Sequence, residues 1–131
     1  MLPVNIKLHK KSGILELQYT DGSYELAAEF LRVHSPSAEV RGHGPGQEVL
    51  QHGKKSVLIT KLDSVGNYAI RPHFDDSHNT GIFTWEYLRE LCLSKQELWS
   101  EYLNKLKAAG QTRESLPTGT QAVKIFPLKS D

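Results

Sequence analysis

The chain holds a single cysteine, Cys92, among 131 residues, so an intramolecular disulfide is excluded. That usage fits a reducing cytoplasm, the expected location. Charge of one sign is not in excess either: 16 Lys and Arg stand against 15 Asp and Glu, a formal net charge of +1. A general nucleic-acid binder normally carries a basic surplus, so nucleic acid is not an expected partner. Long apolar runs are missing as well. Residues 1–10, MLPVNIKLHK, contain no secretory apolar core, and no stretch reaches the length of a membrane span, so a membrane is not expected as a partner. At 38% hydrophobic and 24% charged, the composition is that of one globular domain. It excludes collagen-like, coiled-coil and wholly disordered chains, and a large enzyme with separate cofactor and substrate domains.

The N-terminal third reads as short strands. Val4, Ile6 and Leu8 alternate with Asn5, Lys7 and His9, and Ile14, Leu15, Leu17 and Tyr19 form a second strand. Thr20-Asp21-Gly22-Ser23 is a hairpin signal, because Asp-Gly supplies the positive φ angles of a tight turn. Tyr24–Leu26 follows as a third strand, and Ala27–Arg32 as a short helix with Phe30 and Leu31 inward. From Val33 to Lys55 the pattern stops. This glycine- and histidine-containing segment reads as a long loop, and long structureless loops in compact domains are usually binding elements or mobile.

Regularity returns at Ser56. Val57, Ile59 and Leu62 mark a strand ending near Val65-Gly66-Asn67, and Tyr68, Ile70 and Pro72 mark the next. Residues 74–81 are turn-rich, and Ile82-Phe83 is a short strand. Thr84 is placed to cap a helix Trp85–Cys92 with Trp85, Leu88, Leu91 and Cys92 on one face. Ser94-x-x-Glu97 has capping-box spacing, and a second helix is expected from about Lys95 to Ala109, with Gly110 at its left-handed end. The domain is expected to span 1–110. Residues 111–131 read as a tail, partly disordered or docked, with an edge strand expected at Val123–Phe126.

Several residues invite chemistry. His73-Phe74-Asp75 has the His-x-Asp spacing of a non-haem iron site, but that site needs a distant second His, and the chain is too short for an oxygenase barrel. His73, Asp75, Asp76 and His78 form a local group of candidate metal ligands, to which His34 or His43 of the long loop would add the distant one. Turn chemistry alone accounts for Asp75 and Asp76, whose side chains bond nearby backbone amides. Arg41-Gly42-His43-Gly44-Pro45-Gly46 lacks the Gly-Lys-Ser/Thr of a phosphate-binding loop. Ser35, Ser37 and Ser64 have no base partner visible in the sequence, so no hydrolase triad is supported. Cys92, on an apolar helix face, reads as a small buried hydrophobe, and Trp85 and Trp99 read as core residues.

Four stretches taken together resemble a known family. They are Leu15-Glu16-Leu17 with Asp21-Gly22-Ser23, Phe30 through Gly44 (FLRVHSPSAEVRGHG), Val65-Gly66-Asn67-Tyr68-Ala69-Ile70-Arg71, and Phe74 through Leu88 (FDDSHNTGIFTWEYL). Over about residues 5–92 the chain is similar to the stand-alone bacterial branch of the gamma-butyrobetaine hydroxylase-like N-terminal domain family. In the hydroxylases that act on gamma-butyrobetaine or trimethyllysine, this domain precedes the catalytic barrel and carries a structural zinc. The resemblance puts the three zinc cysteines of those relatives at Ser35, Ser37 and Val40, and the fourth ligand at His78. Zinc takes thiolate or imidazole ligands, so the resemblance implies that this zinc site is lost. Ser77 stands where relatives usually have glycine. A similar domain is fused to Mrp-type iron–sulfur carrier ATPases.

The expectation is therefore an α+β domain: a mainly antiparallel sheet of about five or six strands, a short helix after strand 3 and two C-terminal helices. The expected function is a non-catalytic binding or adaptor module for a protein partner, linked through the resemblance to iron, iron–sulfur or oxygenase proteins. Its expected surface is Ser35, Arg41, His43, His78 and Trp85, on the long loop and the 73–85 turn. The alternative is a metal-binding protein that takes iron or zinc on His78, His73, Asp76 and His43. No cofactor follows from the sequence, and neither the barrel nor the ATPase of the larger relatives is present, so no enzyme activity is expected.

Overall fold

The structure, a computed structural model, describes residues 1–115. The strand expected at Val123–Phe126 lies outside the described residues. Strands β1 (Asn5–His9), β2 (Ile14–Tyr19) and β3 (Gly22–Ala27) form an antiparallel sheet in that order. Alternation decides its faces: along β2, Leu15, Leu17 and Tyr19 are buried while Ile14, Glu16 and Gln18 are half-exposed. Leu15 lies opposite Leu26 and Leu17 opposite Tyr24, so one face of the hairpin is apolar. The β2–β3 turn is Thr20-Asp21, with Gly22 already paired to Tyr19. The positive φ expected of Asp-Gly is taken by Gly22 alone, at 144°.

A second antiparallel sheet follows: β4 (Ile59–Val65), β5 (Ala69–Phe74) and β6 (Phe83–Thr84). The six strands are thus divided into two three-stranded sheets. The long segment between β3 and β4 separates them, and it is not featureless as its sequence reads. It opens with helix α1 (Ala28–Val33) and contains helix α2 (Ala38–Arg41). Ser37 caps α2, its Oγ accepting from the Glu39 N–H at 3.2 Å, and Val40 is the buried anchor. Four residues are too few to show a helical period. Beyond α2 the chain doubles back, the Val49 N–H donating to the Val40 carbonyl at 2.8 Å. A Cβ on Gly42 would lie 1.9 Å from the Gln47 carbonyl oxygen, so this return needs glycine.

The C-terminal helices are α3 (Trp85–Leu93) and α4 (Lys95–Ala108). Thr84 caps α3 as expected, accepting from the Tyr87 N–H at 3.1 Å. The capping box at Ser94 does not form. Ser94 also ends α3, with φ −108° and ψ 16°, so its backbone is not extended and its side chain makes no cap bond. At the other end, the Gly110 N–H bonds the Lys107 carbonyl and the Gln111 N–H bonds the Leu106 carbonyl, the pattern of a Schellman stop. The chain then returns to the body, with Thr112 and Arg113 carbonyls accepting from Gly53 and Lys55 N–H groups at 2.9 and 3.0 Å.

All six residues of α1 are buried between the sheets and helices. Its two charges are therefore paired: Glu29 with Arg113 at 2.7 and 2.8 Å, and Arg32 with Asp76 at 2.9 Å. The main core draws on both sheets and α3, with Leu15, Leu31, Ile59, Phe83 and Leu88 among its fully buried members. Replacing Leu31 by Ala is expected to cost about 2–5 kcal/mol in urea unfolding. Leu103→Ala, at a position 39% exposed, is expected to cost well under that.

Candidate functional site

The long loop and the 73–85 turn are brought together, and His78 is where they meet. The His78 side chain is 1% exposed. Its Nδ1 lies 2.8 Å from Glu39 Oε1 and its Nε2 lies 2.8 Å from Ser35 Oγ. A carboxylate only accepts, so Nδ1 carries the proton of the neutral ring, and Nε2 accepts from the Ser35 hydroxyl. Ser35 Oγ in turn accepts from the Ser37 N–H at 3.3 Å. The Ser37 and Thr80 hydroxyls bond each other at 2.6 Å. Side-chain bonds thus run from residues 35, 37 and 39 to residues 78 and 80.

The backbone of the turn is shaped to allow this. Ser77 takes φ 74°, a left-handed angle that costs a non-glycine residue about 1 kcal/mol or more. The His78 N–H donates to Asp76 Oδ1 at 3.3 Å. Gly81 is buried against Ser35: a Cβ there would lie 2.2 Å from Ser35 Oγ. Asp76 is fixed from beneath by Arg32 and by Lys54, at 2.9 and 2.7 Å. It remains partly exposed, and these cations hold its carboxyl below the usual range. Burial pushes the His78 ring below its ordinary value, aided by the Arg32 charge, while Glu39 and Asp76 pull the other way.

The expected metal set is not assembled. His73 Nε2 lies 2.6 Å from Asp63 Oδ2 on the outer face of the second sheet, and Asp63 also accepts from Arg71 at 2.9 Å. These bonds, that of His73 foremost, bring the Asp63 carboxyl down to about 2. Asp76 is taken by Arg32 and Lys54, both ring nitrogens of His78 are engaged, and His43 is exposed on the loop. His34 bonds the Phe30 carbonyl through Nδ1 at 2.8 Å. Among the described residues no group of three His, Cys, Asp or Glu is placed to hold a metal ion. Nor do Ser35, Ser37, Val40 and His78 fit a zinc ion: two hydroxyls and an isopropyl group are poor donors, and the one imidazole is already hydrogen-bonded on both sides.

The expected partner surface is also redistributed. Ser35 and His78 face inward, because each is needed to hold the two segments together. Arg41 and His43 remain exposed, with the Arg41 guanidinium over the Tyr87 ring at 5.1 Å. Trp85 is tied elsewhere, its Nε1–H donating to the Asn67 carbonyl at 2.9 Å. The sequence reading missed Glu39, Thr80 and Asp63. Asp63 was within reach of sequence reasoning, since the β4–β5 register sets it diagonally across from His73. Glu39 and Thr80 were not, because their partners lie 39 and 43 residues away.

A small α+β domain with a polar knot joining two loops defines the class of protein. Residues 6–89 match the family model described as gamma-butyrobetaine hydroxylase-like, N-terminal. The chain belongs to that family. Two solution structures are similar to it: one at 47% identity covers 94% of this chain and 98% of its own, with a TM-score of 0.78. The other, at 43% identity, covers 95% and 92%, with a TM-score of 0.73. A crystal structure of a protein with unknown function, of the DUF971 family, from Acidithiobacillus ferrooxidans is also similar: 40% identity over 68% of this chain and 90% of its own, TM-score 0.56. No curated protein matches the chain.

Ser77→Gly relieves the left-handed strain and is expected to raise stability by up to about 1 kcal/mol in denaturant titration. His78 and His34 both lie below the ordinary value of 6.5, burial being the main cause in each. As pH falls through that value the unfolded chain takes up protons that the folded chain does not. The stability owed to the neutral rings is therefore full above about pH 6.5 and is lost below it. The urea midpoint is expected to fall from about pH 7.5 to about pH 5.5, before the carboxylates titrate, and a His34→Phe/His78→Gln variant is expected to flatten that slope.

Proposed function

We propose that this chain is a non-catalytic binding module that presents the joined faces of its 36–43 and 77–80 segments to a protein partner. The observation that supports this reading is the set of bonds from Ser35, Ser37 and Glu39 to His78 and Thr80. Two exposed, polar segments are held as one rigid surface by interior side chains, as binding loops are held by a scaffold. Ala38, Glu39, Arg41, His43 and Asn79 lie on the solvent side of that surface.

Ser35, His78 and Glu39 repeat the connectivity of a hydrolase triad, yet the arrangement favours a structural role. Ser35 is 1% exposed, and its oxygen already accepts from Ser37 and lies against Gly81. An acyl carbon has no room to approach it. The partner class is drawn from the resemblance: a protein that handles iron or iron–sulfur clusters, since similar domains are joined to oxygenase barrels and to Mrp-type ATPases.

A photo-crosslinking side chain at Ala38 in native cytosol tests the reading, with one at exposed Lys61 on β4 as control. Capture of one iron- or cluster-handling protein is expected from position 38 and not from 61. It is expected to be lost when His43→Glu is added at unchanged thermal stability. The same proteins captured from both positions would contradict the reading.

A further inference from the structure

A cavity of about 320 Å³ opens between the 40–51 segment and α4, within the size range of small-ligand sites. Val33, Val40, Leu50 and Leu98 supply its apolar wall. Two hydroxyls fix its shape. Tyr87 O–H donates to the His34 carbonyl at 2.5 Å, and Tyr102 O–H donates to the Gln51 carbonyl at 2.8 Å. The floor is thereby pinned to α3 and the rim to α4, so the cavity does not depend on a ligand to form.

Its polar lining keeps free hydrogen-bonding capacity and is arranged by type. His34 gives its Nδ1 proton to the Phe30 carbonyl, which only accepts, so Nε2 keeps a free lone pair. Arg41 and Lys105 line the same space, and among the described residues neither has a carboxylate within salt-bridge distance. Two carboxylates are also present. Glu48 accepts from the Gly46 N–H at 3.4 Å, and Glu101 sits one turn before Lys105 on α4. The cavity thus offers two cations for an anionic group, acceptors at His34 and Glu101 for a donor, and an aliphatic wall between. The carboxylates disfavour a dianion such as a phosphate monoester.

We propose that this cavity binds a small monocarboxylate with an aliphatic body and a hydrogen-bond donor beside the carboxyl group: a hydroxy acid or amino acid. The carboxylate meets Arg41 and Lys105, the donor meets His34 Nε2, and the chain lies along Val33, Leu50 and Leu98. The cavity shares Arg41 with the edge of the proposed partner surface, but the argument for it does not rest on that reading.

Amide NMR titration of the full chain with four probes tests the proposal: 2-hydroxy-4-methylpentanoate, leucine, 4-methylpentanoate and 4-methylpentan-1-ol. The hydroxy acid and leucine are expected to shift the Leu50 and Leu98 signals saturably. The plain acid is expected to bind about tenfold more weakly, having lost one hydrogen bond to a buried acceptor, and the alcohol not to saturate. Arg41→Ala/Lys105→Ala is expected to abolish binding, and His34→Phe to erase the preference for the hydroxy acid over the plain acid while keeping the ring packing. The proposal is overturned if the alcohol shifts the same signals as strongly as the acids, or if none of the probes saturates.

Discussion

An imidazole buried inside a small domain must have both nitrogens satisfied. His78 meets that requirement with Ser35 on one side and Glu39 on the other, and the corner of the molecule where the two loops meet depends on it. Because Nδ1 faces a carboxylate, the proton order along the chain is determined: Ser37 N–H to Ser35, Ser35 O–H to His78, His78 N–H to Glu39. Moving the ring proton to Nε2 would leave the Nδ1 lone pair facing the Glu39 carboxylate, two acceptors in contact. Ser77 accepts a strained backbone angle, and Gly81 gives up any side chain, so that this order can close. A few buried groups thus give two polar segments one relative position.

The same corner carries the comparison with relatives. The resemblance assigns zinc ligands to the positions of Ser35, Ser37, Val40 and His78, and three of these sit at the knot as hydrogen-bonding residues. A metal joins such positions through four strong bonds to one ion. Here hydroxyl, amide and imidazole groups join them pairwise, and Val40 contributes only packing. Residues 35–40 and 78 are brought together here by a donor set that does not suit zinc.

Much of the fold was legible in the sequence because its signals are local. Alternation gave β1, β2 and β5, Thr84 announced α3, and Gly110 announced the end of α4. Local signals also misled where two elements share a residue: Ser94 has the spacing of a cap but closes α3 first. The division into two sheets was not legible, since strand spacing says nothing about which strands stay unpaired. For the candidate site, His78 and Ser35 could be singled out singly. Their contact could not, because a bond across 43 residues leaves no period in the sequence. The histidines and acids that looked like one ligand group are distributed to separate partners, which only the sheet register and the α1 charges decide.

The claim on which the account turns is the state of the His78 ring. Nitrogen-15 NMR of the imidazole at neutral pH reads it directly. A single neutral tautomer with the proton on Nδ1 and an accepting Nε2, unchanged when zinc is added, is the expected result. A proton on Nε2, an averaged pair of tautomers, or a shift of the ring nitrogens on adding zinc would contradict it.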